Sequence, residues 1–127
     1  TGNLANNSTY VVCNSQIDAS LTSFCTALNA VANFNGDDAV TLERASAVID
    51  TFGIVGTDPG TSWTICGDVN AGVDHILIRK PNVASPTTNW ATSAGTNASD
   101  CQWNVLIGTP IATFSANQNM GSHTFTP

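Results

Sequence analysis

The chain has 127 residues, of which only 9% are charged: three basic and nine acidic, for a formal net charge of −6. Three cations cannot neutralise a phosphate backbone, so a basic DNA-binding face is excluded, and the charge argues against nucleic acid or an anionic membrane as partner. The length suits a single domain over residues 1–127, and an apolar content of 42% is enough to fill one core.

Soluble domains usually carry about 25% Asp, Glu, Lys and Arg. This chain replaces most of them with Thr, Ser and Asn. Its four cysteines (Cys13, Cys25, Cys66 and Cys101) are widely spaced, with no Cys-x-x-Cys pair for zinc or redox work. The expectation is two disulfides, with three pairings open, in a protein secreted to the extracellular space. No apolar run has membrane-spanning length, and the polar opening Thr1-Gly2-Asn3 reads as a trimmed, mature form.

Three overlapping or separate sequons, at Asn6, Asn7 and Asn97, are candidate glycosylation sites and predict exposed backbone at both places. Thr9, Tyr10, Val11, Val12 and Cys13 read as a first strand. Ser15 can cap a helix in which Ile17, Leu21, Phe24, Cys25, Leu28 and Val31 recur at helical spacing. A turn at Asn35-Gly36 leads to a second expected helix, marked by Leu42, Ala45, Val48, Ile49 and Phe52 and ended by Gly53.

From there the period changes to two. Residues 62–66 and 73–79 are predicted to form a hairpin. Residues 81–100 are polar and without period, and are expected to form an exposed excursion carrying Trp90. Strands are predicted at residues 102–107 and 111–114, with an edge strand at 123–126. The sum is an α+β domain: a mostly antiparallel sheet with two helices packed on one face, stapled by two disulfides.

Four kinds of chemistry fit the residue types. His75, His123, Glu43 and Arg79, with Arg44, supply the proton-transfer groups and cation that a ribonuclease-type phosphodiesterase requires. Asn33, Asn35 and Asp37 present oxygens at alternate positions, as a calcium loop does, but an EF-hand register starting at Asn33 puts Asp38 at the glycine position and Arg44 at the bidentate carboxylate. Trp90, flanked by Thr87, Thr88, Asn89 and Thr92, is the aromatic best placed to stack on a sugar ring or dock into a protein. Sparse charge also lowers the repulsion between copies, which favours self-assembly.

Gly72-Val73-Asp74-His75-Ile76-Leu77-Ile78 resembles the Ile-Asp-His-Ile-Leu strand of the endonuclease/exonuclease/phosphatase family, and Gly121-Ser122-His123 resembles its terminal Ser-Asp-His. That resemblance covers about a tenth of the chain. Gly67-Asp68-Val69-Asn70 lies only a few residues ahead of the strand, where the family keeps its Gly-Asp-x-Asn far upstream, and Ser122 supplies no carboxylate, so no membership follows. Size, cysteine count and acidity are reminiscent of small fungal effector or killer-toxin-like proteins. The reading that results is a secreted, non-catalytic binding protein with an extracellular glycan or protein partner. Its alternatives are a self-assembling structural subunit, whose partners are copies of itself, and a small hydrolase using His75 and His123. No cofactor is expected.

Overall fold

The computed structural model describes residues 3–107 and 120–126. They divide into two compact units, one drawn from Thr1–Asn33 and Thr109–Thr124, the other from Phe34–Gly108 and Phe125–Pro127. The strand expected at residues 111–114 lies outside the described residues.

In the first unit, β1 (Val12–Cys13) pairs in parallel with β2 (Ala27–Leu28). The chain between them is pinned by a disulfide from Cys13 to Cys25 and buries Leu21. The long helix expected here is absent. Its residues form a 3₁₀ turn at Ala19–Phe24, capped by Asp18, and a shorter one at Ala30–Ala32, capped by Asn29. Both caps act through short side chains that bond the backbone two residues on, from Ser20 and from Val31. Such local bonds compete with a continuing helix, and the Cys13–Cys25 link then fixes Cys25 in extended backbone.

The second unit opens with a hairpin of β3 (Val40–Arg44) and β4 (Ala47–Phe52), where the second helix was expected. Ala45 and Ser46 both have positive φ, at 50° and 64°, and make the two-residue connection of the mirror-image turn type that matches strand twist. A register shift between Leu42 and Glu43 leaves Ile49 as the extra residue of a bulge. The predicted hairpin of residues 62–66 with 73–79 is also corrected. Only Ile65 makes a bridge, to Asp68, and β5 (His75–Arg79) pairs antiparallel with the distant β6 (Trp103–Ile107) instead. The segment 123–126 contains no strand, although Thr126 N–H donates to the Pro81 carbonyl at 2.8 Å.

The core of this unit is Trp63, Ile65, Ala71, Trp90 and Ala94, with Phe52, Leu77, Trp103 and Val105 packed against it. A second disulfide joins Cys66 to Cys101. The backbones at Gly36 and Gly72 come so close that a Cβ on either would meet the other's carbonyl oxygen. Among the described residues, two short helical pieces and α1 (Trp90–Ala94) are too small to form a layer, and the fold is a mixed one of short strands, most of them antiparallel, with two disulfides.

Candidate functional site

Trp90, expected at the surface, is 8% exposed and belongs to the core. Asn89 caps α1 by accepting from Thr92 N–H, and the turn it starts rotates Trp90, Ser93 and Ala94 to one buried side. The spacing of those three residues, one, four and five positions after a capping Asn, is the signal in the sequence for this turn. The indole packs edge-on against Phe52, with centroids 5.1 Å apart, and against Trp63 at 5.7 Å.

One flank of Trp90 still lines a concavity of about 530 Å³. Val48 of β4, Ile54, Val55 and Ala91 form most of its wall, with polar edges from Thr88 and Asn89. Val48, Ile54 and Val55 are all exposed, Val55 at 69%. These side chains are set by the hairpin and by the turn through Gly53, whose φ of +76° brings its backbone against the Trp63 ring. A second concavity, of about 590 Å³, gathers Asp37, Asp38 and Asp58 with Thr41 and Thr57.

The groups proposed for proton transfer are divided between the two units. Arg79 donates to both carboxylate oxygens of Asp50 at 3.1 Å, to Ser93 Oγ and to Gln102 Oε1, and its guanidinium lies 4.1 Å from the centre of the Trp103 ring. All of that is lattice within the unit, joining β4, β5, α1 and β6. His75 places Nδ1 2.6 Å from the Val73 carbonyl and Nε2 3.5 Å from Asp68 Oδ2. Glu43 and Arg44 are exposed at the tip of the first hairpin. His123 is exposed and belongs to the other unit.

The candidate calcium ligands are likewise divided. Asn33 ends the first unit, where its Oδ1 accepts from Asn14 Nδ2 at 3.0 Å, while Asn35 and Asp37 open the second. Among the described residues, no group of three or more His, Cys, Asp or Glu side chains could hold a metal ion. No helix of the described residues is long and apolar enough to cross a membrane.

Asn6 and Asn7 are exposed in a turn closed by Ser8 N–H donating to the Ala5 carbonyl. Asn97 is exposed too, but its Nδ2 donates to Asp100 Oδ2 at 3.1 Å and to Thr96 Oγ1 at 3.2 Å. Asp100 organises this turn, and its carboxyl is held below the ordinary value by the Thr96 hydroxyl and by the backbone N–H groups of Asn97 and Thr96. Asp18 is held low in the same way, by the hydroxyl and the N–H of Ser20.

No protein-family model, curated protein or solved structure matches this chain.

Proposed function

We propose that this chain is a secreted binding protein with no chemistry of its own, and that it takes an apolar group of an extracellular protein or glycan into the concavity beside Trp90. The observation that carries the reading is the exposure of Val48, Ile54 and Val55 around one flank of a rigid aromatic core. Apolar surface of that kind is stabilised by cover, and a wall fixed by packed rings loses little entropy when a partner arrives. The four disulfide-bonded cysteines support the oxidising compartment.

The test is binding to glycan arrays and to candidate extracellular proteins, followed by titration of the hits with Ile54→Asp and Val55→Asp variants. A carboxylate in the wall should abolish binding while the near-ultraviolet circular dichroism stays unchanged. Undiminished affinity in both variants would sink the assignment.

A second reading, a self-assembling extracellular subunit, is favoured by the first unit. Leu4, Tyr10, Val12, Phe24, Leu28 and Val31 are all exposed there, and Asp18 is its one carboxylate by sequence.

A further inference from the structure

Among the described residues the sheet of β5 and β6 has two strands, and the outer edge of β6 is chemically specific. Lys80 N–H donates to the Gln102 carbonyl at 2.9 Å, so residues 80 and 102 are a hydrogen-bonded pair. Alternation along the antiparallel register then makes Ile78/Asn104 and Ile76/Leu106 bonded pairs as well. Trp103, Val105 and Ile107 therefore turn their N–H and C=O groups away from β5. At Trp103 that edge is covered, because the carbonyl oxygen lies 3.3 Å from the sulfurs of Cys66 and Cys101. Among the described residues, the outward groups of Val105 and Ile107 have no partner.

Edges of sheets are usually guarded by charge, proline or a bulge. Trp103–Ile107 has none of these: it reads Trp-Asn-Val-Leu-Ile in continuous register, with Leu106 37% and Ile107 80% exposed.

We propose that this edge of β6 pairs with the same edge of a second copy, antiparallel and centred on Leu106. In that register Val105 of each copy lies opposite Ile107 of the other, and the free groups of both are satisfied by four reciprocal hydrogen bonds. The two Leu106 side chains meet across the two-fold axis in a non-hydrogen-bonded pair, whose Cα atoms lie about 4.5 Å apart. A register centred on Val105 would instead need the Trp103 carbonyl, which the disulfide occupies. The second copy is the occupant that fits because the open edge is self-complementary: in this register the outward Val105 and Ile107 groups of one copy are matched one for one by those of the other. Such a contact is isologous and closes at the dimer. It uses none of the residues that line the Trp90 concavity and does not depend on that reading.

The experiment is sedimentation equilibrium over a concentration series for the native chain and for Leu106→Lys and Leu106→Glu, singly and mixed. The native chain should approach twice its 13.1 kDa mass. Each variant alone sets like charges directly opposite one another and should raise the dimer Kd by at least about tenfold, and a one-to-one mixture should restore pairing. Hydrogen exchange on the native chain gives a readout free of substitution: the Val105 and Ile107 amides should lose protection on dilution. The proposal is overturned if the native chain is monomeric to millimolar concentration, or if Leu106→Lys dimerises as well as the parent. It is overturned equally if those two amides stay protected in the dilute monomer, because the chain's own residues then cover the edge.

Discussion

Arg79 and Asp50 meet in a two-pronged ion pair, both carboxylate oxygens 3.1 Å from one guanidinium nitrogen, and this pair ties the β3/β4 hairpin to the β5/β6 sheet. Asp50 also accepts from the N–H groups of Thr51 and Thr87, so it holds a loop as well as a cation. Both side chains are about four-fifths covered. Asp50→Ala leaves the cation over Trp103 without its counter-charge and should cost about 2–3 kcal/mol. Urea denaturation checks the value; Arg79→Lys should lose part of it, since an ammonium cannot reproduce the planar fork.

Gly36 and Gly72 are not replaceable. Gly36 has φ +106°, and a Cβ at either position runs into the backbone of the other. The crowding atoms are main chain and cannot rotate aside, so Gly36→Ala and Gly72→Ala should each lower stability by more than about 2 kcal/mol. Thermal melts of the two variants would show the drop, and unchanged midpoints would contradict the close approach.

The two disulfides should differ in worth. Chain entropy assigns the 35-residue separation of Cys66 and Cys101 about 4 kcal/mol and the 12-residue separation of Cys13 and Cys25 about 3 kcal/mol. Paired Cys→Ala variants compared by equilibrium unfolding should rank in that order. Alkylation of the unreduced, denatured chain should label no cysteine.

The turn from Thr96 to Asp100 should loosen in acid. The Asp100 carboxyl lies below its ordinary value because it accepts from the Thr96 hydroxyl and the N–H groups of Asn97 and Thr96, so the native turn prefers the ionised form. The contribution is present above the unfolded carboxyl range, near pH 4, and is lost as pH falls through the lowered native value. Hydrogen exchange of the Asn97 amide should accelerate below that range. Asp100→Asn should remove the pH dependence.

What was legible in the sequence was chemistry that depends on residue type alone. The even cysteine count gave two bridges, and alternation at β5 and β6 marked both strands, yet nothing local could say which strand paired with which. The second helix failed for a specific reason. Leu42, Val48 and Phe52 fall at helical spacing although Val48, opposite Glu43 beyond the bulge at Ile49, lies on the other face of the hairpin from Leu42 and Phe52, and the exposure of Leu42 and Val48 erases the period of two. Its turn uses Ala45-Ser46, without the Asn or Gly that usually betrays positive φ. Trp90 was misplaced because its polar neighbours in sequence are not its neighbours in space.

All three tryptophans of the chain, Trp63, Trp90 and Trp103, sit within one cluster around Phe52 in the second unit. The first unit holds Tyr10 as its nearest substitute. Indole fluorescence is therefore a private reporter of the second unit, with the rings close enough to exchange excitation. A melt followed at tryptophan wavelengths alone would be silent about the Cys13–Cys25 unit, and its agreement with far-ultraviolet dichroism would measure how cooperatively the two units unfold.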